Sequence, residues 1–108
     1  MLASTTFEIP GHEIVELKGM VRGIIVRSPT ISQGIMGGLK NIIGGKIGAY
    51  TTMCEQTRDQ AYEELVKHAA ALGANAIVGV RYDASSVEPK GAAVEVLCYG
   101  TAVVTRKK

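Results

Sequence analysis

Four side chains in this 108-residue sequence belong to the kinds that bind soft metals or act as bases and nucleophiles near neutral pH: Cys54, Cys98, His12 and His68. The two cysteines lie 44 positions apart (98 minus 54), with no CxxC and no histidine at ligand spacing, so two thiols alone do not complete a tetrahedral metal site. Each falls in an apolar row and reads first as a small core residue, with metal ligation as the weaker alternative. His12 starts a strand beside a turn, where a lone imidazole is usually solvated. Glu63 and Glu64 are neighbours in a helical pattern and point about 100° apart, which suits a wet face better than paired acid-base work. The glycine-rich stretch fails as a phosphate loop: Gly45-Lys46 is followed by Ile47 where Ser or Thr is required, and Lys40 stands where the opening glycine belongs. No nucleophile has a base at motif spacing, so the sequence does not read as an enzyme.

Arg58 is the polar residue that the pattern does not absorb. It lies in or beside the apolar stripe of a helix, where a guanidinium needs a partner or a route to water. Two readings stand: it snorkels to the edge, or it meets a carboxylate across a subunit contact. Tyr50 is its nearest preceding aromatic. With Arg81, these two residues form the set of polar contacts expected for a small ligand held between subunits.

The elements that must position them follow from periodicity. Residues 2–6 are β-prone, and Pro10-Gly11 makes a turn. From His12 to Arg27 the chain alternates with period two: Val15, Leu17, Val21 and Ile25 share one face with Gly19 and Gly23. Six of the 13 glycines lie between Gly34 and Gly48. That segment is either a short helix, with Ile35, Leu39 and Ile42 on one face and Gly34, Gly38, Asn41 and Gly45 on another, or a loop. Thr52-Met53-Cys54-Glu55 fits a capping box, and Gly73 fits the left-handed residue that closes a helix. Between them Cys54, Ala61, Leu65, Ala69 and Leu72 make the expected buried stripe, while Glu63 with Lys67 and Glu64 with His68 are expected as i,i+4 pairs. Residues 74–82 read as a strand and 84–91 as a turn or hairpin loop. A last strand runs from Ala92 to Arg106 with Val94, Val96, Cys98, Ala102 and Val104 on its inner face.

Composition bounds the rest. A hydrophobic content of 46% with 20% charged residues describes one globular domain, residues 1–108. Without Arg106, Lys107 and Lys108 the charge is 9 minus 10, or −1, so there is no basic footprint for nucleic acid. Uncharged runs such as Ser28 to Leu39, 12 residues, are too short to cross a bilayer. No secretory leader is evident, and a cytoplasmic protein with free thiols is expected. With no Trp, one Phe and four Tyr the core is thin, which favours burial against a second copy.

A set of short matches spans nearly the whole chain: Ser4-Thr5-Thr6, Ile14-Val15-Glu16, Gly19-Met20-Val21, Gly44-Gly45-Lys46 with Gly48-Ala49-Tyr50, Arg58, Ala61, Glu63-Glu64-Leu65, the run from Ala71 to Gly79, and Gly100-Thr101-Ala102-Val103 with Thr105-Arg106. On these residues the sequence resembles the YbjQ-like family of small bacterial proteins, labelled a heavy-metal-binding domain. The resemblance implies an α+β subunit with a mainly antiparallel sheet, covered by one long and one short helix, assembling into a ring-shaped homopentamer. The family label leaves a divalent or heavy metal ion open as a bound group without fixing a cofactor, and the sequence has no organic cofactor motif. Relatives typically carry Arg-Asp pairs in the glycine-rich helix, and the matching positions here, Gln33-Gly34 and Lys40-Asn41, hold no acid. The function expected is ligand or metal binding between subunits, with a purely structural ring as the alternative.

Overall fold

In a computed structural model, residues 1–27, 46–86 and 94–108 are described. They form strand β1 (Leu2–Ala3), strand β2 (His12–Arg27), helix α1 (Lys46–Ala71), strand β3 (Ala76–Ser86) and strand β4 (Val94–Lys107). The sheet order is β1-β3-β4-β2. Both long pairings, β2 with β4 and β3 with β4, are antiparallel, and only the two-residue β1 runs parallel to β3. The architecture is therefore α+β with a mixed sheet. Of residues 34–48, where a short helix or a loop was expected, 34–45 lie outside the described residues and 46–48 belong to the first turn of α1.

Helix α1 exists because Thr57, Ala61, Leu65 and Ala69 recur every fourth residue and are all buried. That row is narrow and, apart from Leu65, made of small side chains, so the helix can sit very low on the sheet. It does so at Gly23: a Cβ built there would lie 2.0 Å from the Ala61 carbonyl oxygen and 2.6 Å from the Leu65 nitrogen. The helix ends as the sequence indicates. Gly73 adopts φ 83°, its N–H donates to the Ala70 oxygen at 3.0 Å, and the Ala74 N–H donates to the Ala69 oxygen at 3.1 Å. These two bonds satisfy carbonyls that the helix end leaves open.

Several expectations need correction. Thr52 is not an N-cap, because the chain is already helical from Lys46, and the Thr-x-x-Glu spacing falls inside the helix. Cys54 is exposed and Leu72 is 40% exposed, so neither belongs to the buried stripe. Leu72 is thrown outward by the Gly73 turn, and Cys54 belongs to the row 54-58-62 that borders the buried one. Val15 and Leu17 are exposed as well, at 48% and 70%. Register shifts between Ile14 and Glu16 and between Leu17 and Gly19 break the period-two count there, and Gly19 takes φ 117°. Val21 and Ile25, beyond the shifts, turn to the helix as expected. β3 runs on to Ser86, past the point where a loop was expected to begin.

The main core lies between α1 and the sheet, where Leu65 joins Val21, Ile77, Val96, Cys98 and Ala102 in one buried cluster. A smaller cluster, Ala76, Val78 and Val103 under Ile9, occupies the opposite face at the end where the first ten residues fold back. Val103, assigned to the outer row of its strand, is thus buried, because the N-terminal segment covers it. Asn75 ties this end together. Its side-chain oxygen accepts the Thr105 N–H at 2.7 Å, and its side-chain nitrogen donates to the Thr105 oxygen at 2.9 Å. One side chain thereby extends the β3–β4 ladder by a step.

Candidate functional site

The register places Tyr82 opposite Cys98, both on the helix side of the sheet. Cys98 is fully buried. Tyr82, 38% exposed, sets its phenol next to the Cys98 thiol. From the helix, Arg58 brings its guanidinium carbon to 5.7 Å from the centre of the Tyr82 ring, within cation-π reach. Cys54, Arg58 and Tyr62 are four residues apart in turn and share one row of α1. The helix rim and the end of β3 therefore gather Cys54, Arg58, Tyr62, Tyr82 and Cys98 in one region. Exposed as it is, Arg58 has an aromatic partner in Tyr82, 24 positions away. The Tyr50 side chain lies outside the described part of the helix.

The electrostatics of this rim keep protons on. Burial first, and then the adjacent Cys98, Tyr62 and Asp59, push the Tyr82 phenol from its ordinary 10.0 up to about 12. Burial also raises the Cys98 thiol, with the neighbouring Tyr82 phenol partly opposing. A thiol held protonated is neither a nucleophile nor a metal ligand, since the thiolate does that chemistry. The alkaline consequence can be measured. The unfolded phenol loses its proton from about pH 10, while folded Tyr82 keeps its proton to about 12, so the folded state binds more protons across that window. Stability from this group is present below pH 10 and is expected to drain away towards pH 12. In urea unfolding across that range Tyr82→Phe should flatten the decline relative to the parent chain, and parallel curves would refute the assignment.

Arg81 points the other way. It alternates with Tyr82 and lies on the sheet face that α1 leaves open. Its Nη1 donates to the carbonyl oxygens of Thr5 at 2.9 Å and Val80 at 2.8 Å, and its guanidinium carbon stands 5.9 Å from the Phe7 ring centre. Arg81 thus holds the N-terminal segment. Arg58 and Arg81 were expected to serve one ligand, and the fold places them on opposite faces of the sheet.

The open face has a groove of its own, about 450 Å³, lined by Met20, Arg22, Asp83, Leu97, Tyr99 and Thr101. Tyr99 opposes Arg22 across β2 and Arg81 across β3, while Leu97 opposes Ile24 and Asp83. Sequence reasoning did not single out Arg22, Asp83, Tyr99 or Thr101 as site residues. The available signal was the alternation in β4 that assigned Leu97, Tyr99 and Thr101 to the face away from the core.

No group of three His, Cys, Asp or Glu able to hold a metal exists among the described residues. His12 sits 3.2 Å from the Pro10 carbonyl oxygen, and His68 accepts a backbone N–H from β2. The sulfur and imidazole donors of one chain therefore do not converge on a metal.

The sequence pattern of the family described as "Putative heavy-metal-binding" matches residues 1–106. The chain belongs to this YbjQ-like family. It is 54% identical over 104 residues to a "UPF0145 protein" of Legionella pneumophila strain Corby, covering 96% of this chain and 97% of the relative. A "UPF0145 protein" of Francisella tularensis subsp. tularensis is 55% identical over 106 residues, 98% of this chain and 100% of the relative. Among solved structures, a protein of unknown function from the DUF74 family of Pediococcus pentosaceus superposes with a TM-score of 0.64 at 25% identity over 98% of each chain. In the YbjQ-like chain described here, no helix among the described residues is long and apolar enough to cross a membrane.

Proposed function

We propose that this chain is a non-catalytic subunit of a cytoplasmic homopentameric ring that holds a small polar ligand between neighbouring subunits. The open face of the sheet carries this reading. Met20 is 85% exposed there, and Ile24, Val26 and Tyr99 are exposed beside it. Contiguous apolar surface of that kind on a small domain marks a contact site. A neighbour seated on it would close the groove into a pocket whose polar points are Arg22, Asp83, Tyr99 and Thr101. Tyr50, Arg58 and Arg81 remain proposed contacts at subunit boundaries.

Light scattering after size exclusion tests the assembly. Five copies of 11.4 kDa give about 57 kDa, and Met20→Glu, which puts a charge on the apolar face, should shift the mass towards 11.4 kDa. A parent chain that elutes at the monomer mass would overturn the proposal.

Metal binding is the second reading, favoured by the description of the matching family and by the exposed thiol of Cys54. In a ring each subunit would contribute one such thiol, so symmetry can supply donors that one chain lacks. This reading requires near-stoichiometric uptake of Zn²⁺, Cu or Cd²⁺ by the assembled protein, reduced by Cys54→Ser. Absence of uptake ends it.

A further inference from the structure

β2 lies at the edge of the sheet and pairs only with β4 among the described strands. An edge strand presents unpaired backbone groups, and folded proteins commonly cover them. At Arg22 the cover is an imidazole: the backbone N–H of Arg22 donates to His68 Nδ1 at 3.1 Å, bridging two residues 46 positions apart. His68, half-buried in the last turns of α1, stands over a hollow of about 430 Å³ between the strand edge and the helix, lined by Arg22, Gly23, Ile24, Glu64 and Lys67.

We infer that His68 is a proton-operated latch on the β2 edge, closed when its imidazole is neutral and released when it takes up a proton. The argument is one of donor and acceptor count. An imidazole that accepts at Nδ1 carries its single proton on Nε2, whereas imidazolium has a proton on both nitrogens and no acceptor. Protonation therefore sets two donors against each other, and either the ring swings out or the edge parts from the helix. The surrounding charges do not replace the lost bond. On α1 the Glu64 carboxylate is engaged by Lys67 at 3.3 Å. On β2 the Arg22 side chain shares the open face of the sheet with Tyr99, and Lys18, near the helix end at Gly73, is paired with Glu16 at 2.8 Å. Gly23 makes the response local and sharp, because the strand touches the helix backbone there and cannot tilt gradually. Acid thus uncovers one outward N–H on the longest strand of the sheet.

Residue-resolved amide exchange on the full chain, corrected for intrinsic rates, tests the latch. Protection of the Arg22 amide should fall about tenfold between pH 7.5 and pH 5, the scale of one net hydrogen bond. In His68→Gln the side-chain carbonyl can accept at both pH values, and protection should stay level. Nitrogen chemical shifts of the parent chain at pH 7.5 should show the proton on Nε2 of His68. Equal Arg22 protection at the two pH values, a similar fall in the Gln variant, or a proton on Nδ1 would each overturn the inference.

Discussion

Gly23→Ala is expected to be the most damaging single-methyl change in this protein. The added Cβ would meet the Ala61 oxygen at 2.0 Å, the Leu65 nitrogen at 2.6 Å and the Glu64 Cβ at 2.9 Å. Two of those three are backbone atoms in the middle of a helix, which cannot rotate away as the end of a side chain can. Relief requires lifting α1 off β2, and that opens the core around Leu65 and Val21. Overpacking ordinarily costs about 1–3 kcal/mol, and rigid neighbours place this site at about 3 kcal/mol or more. For a domain with roughly 5–15 kcal/mol of total stability that is a large share. Thermal and urea unfolding should show a greatly lowered midpoint or no cooperative transition. Stability within about 0.5 kcal/mol of the parent would mean that the helix does not lie on the strand at this point.

Leu65→Ala is expected to come close behind. Leu65 is the one large aliphatic side chain in the buried row of α1, is fully buried, and is flanked along that row by Ala61 and Ala69. Small neighbours pressed against a glycine-lined strand cannot collapse far into the space it would leave. Large-to-small changes at such sites cost about 2–5 kcal/mol, and poor collapse places this one in the upper half of the range. Urea unfolding at neutral pH measures it. A loss under about 1 kcal/mol would show that the core is not centred on this residue. In the same experiment Ala70, exposed on the far side of the helix, provides a position where change should be nearly neutral.

The core of the fold could be read from the sequence wherever a regular period held. Ala61, Leu65 and Ala69 declared themselves by helical spacing, Gly73 by its role after the last turn, and Val96, Cys98 and Ala102 by alternation. Errors clustered where something outside the local pattern intervened. Register shifts near Glu16 and Gly19 exposed Val15 and Leu17, because one inserted residue swaps the two faces of a strand. The Thr52 capping signature was overridden by a helix that was already under way. Val103 was buried by an N-terminal segment whose return path no periodicity announces.

The candidate site was less legible. Arg58 stood out as a charge in an awkward place, but its partner Tyr82 is 24 positions away on another element. Their meeting depends on where the helix lies across the sheet. His68 had a sufficient local explanation in Glu64, four residues back. In the structure Glu64 pairs with Lys67 instead, and His68 serves a strand 46 positions away. Side chains that can satisfy two alternative partners carry no sequence signal to choose between them.

The strand order β1-β3-β4-β2 bears on how the chain leaves the ribosome. β4 is the last of these strands to be synthesised, yet it forms the middle of the sheet and holds both β2 and β3, pairing His12 with Lys107, 95 residues on. While residues before 94 emerge, β2 has none of the described strands to join, and its core-facing Val21 and Ile25 lack the β4 side chains they cluster with. Folding must then be a late, largely all-at-once event, rate-limited by distant strand pairing. Until it occurs the nascent chain carries a 16-residue unpaired strand, the kind of segment that holdase chaperones recognise.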